Sequence, residues 1–276
     1  MSAVAERRGR AVPFVIVILL AILWLMPVYA MVTTSLKSQA EVADQKYLAP
    51  PARPQFPNYG VAFGALENGL VNSLVITIPS TFLCIFLGSL AAYYLILFKF
   101  RYSSAVFFSI VVASFLPYQV VLIPLTQLMN ALRVLDTYVG LILAYMIVNT
   151  PMATLIIATF FMKSPRSFLE AAAIDGCKPW TFYRGILIPM SIPGVMSAAI
   201  LVFVQVYNEF LLALALTLSP TVQPVMPTLA SLRGSQVAQW QIQMAGAIIV
   251  SVVPLVVFIF LSRYFISGLM AGYSKE

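Results

Sequence analysis

Residues 166–189 read RSFLEAAAIDGCKPWTFYRGILIP, and this stretch decides how the rest of the chain is interpreted. It is a charged loop between two long apolar segments. Ser167 is a good helix N-cap, and Glu170 three residues later could complete a capping box with it. The alanines that follow favour helix, and Gly176 is typical of the residue that ends one. We therefore predict a short helix that stops in a sharp turn, before the next apolar segment begins near Pro189.

Long uncharged windows make up most of the remaining chain. Of 276 residues, 61% are hydrophobic and 9% are charged, whereas a soluble domain carries roughly 25% charged residues. A helix needs about 20 residues to cross about 30 Å of hydrocarbon, and six windows are long enough. We therefore predict an all-α polytopic membrane protein with six transmembrane helices, forming one transmembrane domain over residues 1–276. The expected spans are about 12–35, 70–97, 104–129, 138–162, 190–216 and 243–264, with the charged loop at 163–188.

Lysine and arginine set the expected orientation. With a cytoplasmic N-terminus, eleven of these residues fall on the cytoplasmic side and five outside, which agrees with the positive-inside rule. An even number of spans then places both termini in the cytoplasm. The net charge of +7 is scattered among apolar segments rather than gathered on one face, so we expect no nucleic-acid partner.

Polar groups inside the apolar windows are candidates for a translocation pathway. Glu209 is the only acid in an expected span, where charge costs about 2.5–3.5 kcal/mol. It is either hydrated near the outer interface or functional. In the third window, Pro117 and Pro124 can break the helix, and broken backbone at membrane depth is tolerated where it lines a cavity. The alternative is a kinked packing helix. The candidate pathway residues are Tyr118, Gln119, Gln127, Asn130, Asn208 and Glu209.

Several kinds of chemistry are excluded. The chain has no histidine, which removes histidine-based nucleophile pairs, proton relays and metal sites. Its two cysteines, Cys84 and Cys177, are far apart on the expected topology, so neither a disulfide nor a metal site is expected. No P-loop motif occurs, so the energy for any transport must come from another subunit or an ion gradient. We expect no cofactor in this chain and no enzymatic activity of its own.

The charged loop also carries a family signature. Glu170, Ala171 and Ala172, then Gly176, Ile186 and Pro189 form the pattern E-A-A-x3-G-x9-I-x-I-P. It resembles the signature of the permease subunits of binding-protein-dependent ABC importers, whose usual form has leucine where this chain has Ile188. Further segments resemble the carbohydrate-uptake, maltose permease-like branch: Ser35-Leu36-Lys37, Pro57-Asn58-Tyr59, Asn72-Ser73-Leu74 and Tyr207-Asn208-Glu209-Phe210.

The resemblance implies a transport role in the cytoplasmic membrane of a prokaryote. It implies a second, different permease subunit, two ATP-binding subunits that carry ATP and Mg²⁺, an extracytoplasmic substrate-binding protein, and a carbohydrate substrate. The segment that couples to the ATPase would comprise Glu170, Ala171, Ala172, Asp175, Gly176, Ile186 and Pro189. An outer loop over 217–232 would contact the binding protein through Ser219, Pro220, Gln223 and Pro224. The rival hypothesis is an ion-coupled secondary transporter, which the single acid within a span and the lack of histidine disfavour.

Overall fold

The computed structural model describes residues 2–98, 100–234 and 239–270, which contain helices and turns but no β-strand. The longer helices are α1 Ser2–Ser35, α3 Pro57–Leu97, α4 Ser103–Phe115, α5 Leu122–Ala131, α6 Tyr138–Phe161, α7 Arg166–Ile174, α10 Ile192–Tyr207 and α13 Trp240–Met270. The shorter ones are α2 Gln39–Ala43, α8 Pro179–Phe182, α9 Ile188–Met190, α11 Leu211–Leu216 and α12 Val225–Ser231. A 3₁₀ turn, Tyr118–Val121, precedes α5, and a π-helical turn, Tyr183–Leu187, links α8 to α9.

The described helices include four that are long and apolar enough to cross a membrane, namely α1, α3, α6 and α13. Two bent helix pairs are also long and apolar enough: α4 with α5 turns by 96°, and the α8–α9 segment with α10 turns by 79°. Counting each pair once gives six spans. The all-α, multi-span membrane fold predicted from the sequence is thus confirmed. In α1, the most apolar 18-residue window has none of its residues buried inside the chain.

Helix α3 is much longer than the expected span at 70–97. It begins at Pro57 and has 41 residues, about 61 Å at 1.5 Å per residue. Proline is well suited to a first helical position, since its missing N–H would have no partner there. In the segment before α3, Ser38 and Glu41 form a capping box that starts the short helix α2.

The segment 190–216 is interrupted rather than continuous. Helix α10 ends at Tyr207, and Phe210–Leu216, expected from the sequence to be the end of the same helix, forms the separate helix α11 from Leu211. The proline-rich stretch 217–232 is likewise a loop only up to Pro224, because α12 follows it.

The chain divides into two compact units. The first comprises Met1–Glu67 and Thr228–Ser251. Within it, the side-chain amide of Asn58 donates to the carbonyls of Ser35 and Lys37, both at 2.9 Å. The hydroxyls of Tyr59 and Ser35 share a hydrogen bond of 2.7 Å. Two of the sequence segments that resemble the carbohydrate branch therefore bind each other.

The second unit comprises Asn68–Pro227 and Val252–Glu276. Its buried core has two clusters. The first includes Cys84, Met129, Tyr145, Val206 and Leu212, from α3, α5, α6, α10 and α11. The second is formed by α3, α6 and α10 with the charged loop, and includes Ala92, Tyr93, Phe161, Ala172, Phe182, Tyr183, Leu187 and Ala198. All candidate site residues lie in this unit.

Candidate functional site

Helix α7 ends in a Schellman motif. Gly176 has φ +69°, the left-handed conformation that glycine adopts without steric cost. The N–H of Cys177 donates to the carbonyl of Ala172 at 2.8 Å, and that of Gly176 donates to Ala173 at 3.2 Å, the two bonds that define this motif. The prediction that Gly176 ends the helix in a sharp turn is confirmed.

The predicted capping box at the start of α7 is wrong. Pro165 is the N-cap and no side chain caps the helix, so Ser167 is the second helical residue and Glu170 the fifth. The fixed φ of proline suits the residue that opens a helical turn, and the helix therefore starts before Ser167. Glu170 consequently lies beyond the first turn, with an exposed side chain.

The segment after α7 is fixed to α3 by two hydroxyl groups. The Tyr93 hydroxyl donates to the carbonyl of Pro179 at 2.8 Å. The hydroxyls of Ser89 and Tyr183 share a bond of 2.7 Å. Tyr183 is 5% exposed, as is typical of a core residue. Phe182 and Tyr183 of this segment are therefore part of the core, whereas Trp180 is exposed.

The outward side of this segment is partly apolar. Ile174 is 86% exposed, Trp180 54% and Phe168 45%. Among the predicted coupling residues, Ala172 is buried and Ile186 is half-buried. The exposed ones are Glu170, Ala171, Asp175, Gly176 and Pro189. An apolar tip held on an ordered base has the composition of a protein-contact surface, and the signature pattern did not point to Ile174 or Phe168.

Glu209 is held by four hydrogen-bond donors. Its carboxylate accepts from the hydroxyls of Tyr118 at 3.0 Å and Tyr145 at 3.1 Å. It also accepts from the backbone N–H groups of Leu212 at 2.8 Å and Ala213 at 3.0 Å, at the start of α11. Every one of these partners donates, and a carboxylate has enough acceptor sites for all of them. Glu209 thus joins the bend of the third span, α6 and the break after α10.

The other predicted pathway residues are less closely assembled. Gln119, Gln127, Asn130 and Asn208 are all exposed. Among the described residues, the Asn208 amide donates only within its own helix, to Val204 at 2.9 Å. Of the six candidates, the structure brings together Tyr118 and Glu209. It adds Tyr145, whose core position in an apolar helix gave no signal in the sequence.

Side chains from α3 and α6 hold the loop that follows α11. The Asn72 amide donates to the carbonyls of Thr221 and Gln223, both at 3.0 Å. The Tyr138 hydroxyl donates to Asn72 at 2.7 Å. The N–H of Val225 donates to the hydroxyl of Ser73 at 2.8 Å. The segment Asn72-Ser73, which resembles the carbohydrate branch, thus binds the loop.

Asp136 holds the beginning of the same loop. Its carboxylate accepts from the N–H groups of Leu218 at 2.8 Å and Ser219 at 3.0 Å, and from the Ser219 hydroxyl. The side chain of Leu218 is nevertheless 76% exposed, and Pro220 is also exposed. Gln223 is half-buried and Pro224 buried, so the loop is an ordered projection with an exposed tip.

We expect Asp136→Gly to loosen the loop without unfolding the unit, since glycine adopts without steric cost the φ of +58° that Asp136 has. Three donors lose their acceptor at a solvent-accessible site, which costs on the order of 1 kcal/mol. Amide hydrogen exchange at Leu218 and Ser219 should accelerate about fivefold. Asp44→Gly is the control, since Asp44 is exposed and its carboxylate forms an ion pair of 3.7 Å with Lys46. Equal exchange in both variants would contradict an anchoring role.

The same contacts define the pH dependence of the anchor. Hydrogen bonds from the Ser219 hydroxyl, then from the Ser219 and Leu218 amides, lower the pKa of Asp136 below its ordinary 3.8. A lowered folded-state pKa stabilises the fold above the unfolded pKa, and this stabilisation is lost as the pH falls through the folded value. After correction for intrinsic rates, loop protection should therefore be equal at pH 7 and pH 5 and decrease below about pH 3.8.

Comparison with known proteins places these features in a family. The family described as "Binding-protein-dependent transport system inner membrane component" matches residues 84–270. The chain belongs to this family. The matched region contains the charged loop at 163–188, Glu209 with its hydrogen-bond donors, and the loop that follows α11.

Similar chains in this transport family are named as permeases rather than enzymes. The Glucose import system permease protein GlcU of Saccharolobus solfataricus is 35% identical over 260 residues, covering 92% of this chain and 91% of that protein. The Trehalose transport system permease protein SugB of Mycobacterium tuberculosis is 31% identical over 255 residues, covering 91% of this chain and 92% of that protein.

A solved structure shares the fold. A bacterial ABC transporter involved in the import of the acidic polysaccharide alginate matches with a TM-score of 0.77 at 18% identity, covering 95% of this chain and 97% of that chain. No group of three or more His, Cys, Asp or Glu residues that could hold a metal ion occurs in the part of this family member that the structure describes.

Proposed function

We propose that this chain is one of two permease subunits of an ATP-driven importer that moves a carbohydrate across the cytoplasmic membrane of a prokaryote. The observation that carries the proposal is the coupling segment: a helix ended by Gly176, fixed to α3 through Tyr93 and Ser89, with Ile174 exposed at its tip. A projecting helix end that is fixed in this way can bind in a cleft of an ATPase and transmit the movement of the ATPase to the permease. Glu170, Ala171, Ala172, Asp175, Gly176, Ile186 and Pro189 form its proposed contact and supporting residues.

The proposed assembly contains several further subunits. A second, different permease forms a heterodimer with this chain, and two ATP-binding subunits carry ATP and Mg²⁺. An extracytoplasmic binding protein delivers the substrate to the outer loop, where Ser219, Pro220, Gln223 and Pro224 lie. The anchoring of that loop supports such a contact, because a preorganised surface loses less entropy on binding.

A carbohydrate substrate is supported by the relatives named for glucose and trehalose. The proposed pathway follows Tyr118, Gln119, Gln127, Asn130 and Asn208. Glu209 holds the walls of this pathway in place, since its carboxylate is already occupied by four donors.

The test is reconstitution of the two permeases, the ATPase and the binding protein in proteoliposomes. Uptake of radiolabelled glucose or trehalose should require ATP inside the vesicles and the binding protein outside. Omission of the ATPase, with a proton or sodium gradient imposed instead, separates the two hypotheses. Gradient-driven uptake without ATP would replace this proposal with an ion-coupled carrier, whereas ATP-dependent uptake that ionophores leave unchanged would support it.

The proposed orientation places both termini and the coupling segment in the cytoplasm. The native cysteines suit a test, because Cys84 is buried and Cys177 is half-buried. A membrane-impermeant maleimide should leave sealed right-side-out cells unlabelled and should label Cys177 after permeabilisation. A Cys177→Ser variant identifies the labelled site. Labelling of Cys177 in sealed cells would reverse the orientation.

A further inference from the structure

A cavity of about 440 Å³ lies within the second unit, between the bent third span, α6 and α10. Its size is within the roughly 300–1,000 Å³ of small-molecule sites, which are typically lined by apolar groups with a few polar ones. Its polar side chains are Ser114, Tyr118 and Gln205. None of the residues that line it carries a charge.

The wall of the cavity contains the break in the third span. Leu116 and Pro117 line it, at the point where the chain turns by 96°. Leu116 is 62% exposed rather than packed inside the chain. Non-helical backbone at membrane depth is tolerated where it is buried in protein or lines a water-filled cavity. An exposed break therefore favours a cavity that holds water or a polar solute over one filled by lipid.

Gln205 presents an amide to this cavity. Its side chain is exposed, and no hydrogen bond to it is found among the described residues. A side-chain amide offers two donors and a carbonyl acceptor on one plane, which matches neighbouring hydroxyl groups of a sugar ring. The Ser114 hydroxyl, by contrast, already donates to the carbonyl of Ile110 at 2.9 Å.

Tyr118 also lines the cavity, and its ring is the part of the side chain that remains available for contact. The hydroxyl donates to Glu209 at 3.0 Å, and this bond fixes the half-buried ring in the cavity wall. Aromatic rings provide large, rigid apolar surfaces with little entropy to lose. The C–H face of a pyranose can pack on such a surface while its hydroxyls reach an amide.

We propose that this cavity is a subsite for a neutral saccharide, in which Tyr118 packs against the sugar ring and Gln205 binds its hydroxyls. Glu209 is a positioning residue that acts through Tyr118. The proposal rests on the transport function proposed above and deepens it: the uncharged lining selects neutral sugars and disfavours acidic ones, because a carboxylate would lose its hydration without gaining a cationic partner.

The experiment uses the complete reconstituted importer and measures sugar transported per ATP hydrolysed, with radiolabelled glucose or trehalose as the probe. Gln205→Leu should lower this ratio about tenfold, the effect of losing about 1.4 kcal/mol of hydrogen bonding. Tyr118→Phe, which keeps the ring but loses the bond to Glu209, should lower it about threefold, and Tyr118→Leu should lower it further. Thr159→Val is the control, because Thr159 is an exposed polar residue of α6 outside the cavity.

Three outcomes decide the matter. A reduced ratio for Gln205→Leu with a normal ratio for Thr159→Val supports the subsite, and partial rescue by Gln205→Asn supports a role for the amide itself. A wild-type ratio for Gln205→Leu and for Tyr118→Leu would overturn the subsite while leaving the transport function intact. Absence of ATP-dependent sugar uptake by the wild-type importer would instead overturn the proposed function, and the subsite with it.

Discussion

Gly176→Val is expected to reduce both ATPase co-purification and sugar uptake by about tenfold or more. Gly176 has φ +69°, and a Cβ added there would meet no atom within 4 Å. Valine is therefore disfavoured at this position by the backbone conformation rather than by a steric clash with neighbouring atoms. An ordinary side chain in the left-handed region costs roughly 1–2 kcal/mol, and a β-branched one is a genuine outlier there. Valine should consequently displace the turn and the apolar tip beside it.

Two controls separate conformation from side-chain size. Gly176→Asn should retain most activity, because asparagine adopts the left-handed conformation more readily than other residues. Gly185→Val adds the same side chain to the same segment at a glycine with equally open space and no positive φ. The comparison is made by pulling down the ATPase subunit with tagged permease and by measuring uptake. Equal losses in Gly176→Val and Gly185→Val would show that bulk, rather than the turn, is responsible.

Glu170→Lys tests the surface of the same segment. Its side chain is exposed, so the fold should be unaffected. Charge reversal should weaken ATPase binding by about 1–3 kcal/mol if a partner group is left unpaired in the interface. Full association and full transport with both Glu170→Lys and Gly176→Val would remove the main support for coupling.

Glu209→Ala is expected to destabilise the permease by on the order of 3–5 kcal/mol. It leaves two hydroxyls and two backbone N–H groups without their acceptor, and each buried unsatisfied group costs about 1–3 kcal/mol. The Tm in detergent should decrease by on the order of 10 °C. Glu209→Gln keeps the shape but only one accepting oxygen, so its effect should be intermediate.

Asn208→Ala is the matched control for Glu209→Ala. Asn208 precedes Glu209 directly, but in the part of the chain that the structure describes its amide donates only to Val204 of its own helix. Its removal should change the Tm by no more than about 2 °C. Indistinguishable melting of the two variants would mean that the Glu209 contacts are not important for stability.

Local features of this chain could be predicted from sequence, and distant pairings could not. The turn at Gly176 was predictable because glycine alone satisfies that conformation without cost, and the break near Pro117 because proline removes a donor. The membrane spans were predictable from the apolar windows because the hydrophobicity of a segment is also a local property of the sequence. The predicted N-cap at Ser167 was wrong because Pro165 also suits the start of a helix, and the sequence alone does not show which of these two residues begins it.

The unpredicted part is the tertiary hydrogen bonding. Asn72 and the loop carbonyls it binds are 149 and 151 positions apart, and Tyr118 and Glu209 are 91 apart. Neither the hydrophobic periodicity of the sequence nor the spacing of its motifs indicates which distant residues form hydrogen bonds. Glu209 was recognised as unusual because an acid is costly in an apolar span, but its partners are tyrosines, which are common in apolar helices.

Tyr118 and Tyr145 precede Glu209 in the sequence, so the ribosome synthesises both tyrosines before the carboxylate to which they donate. Synthesis at about 5–20 residues per second produces the later of the two tyrosines roughly 3–13 s before the carboxylate. When the fifth span emerges, the two hydroxyl donors of Glu209 have therefore already been synthesised, and their hydrogen bonds would offset part of the cost of inserting an acid, about 2.5–3.5 kcal/mol. A double variant with both tyrosines changed to phenylalanine should insert that span less efficiently in a translocon assay with glycosylation reporters, and equal insertion would show that the span enters unaided.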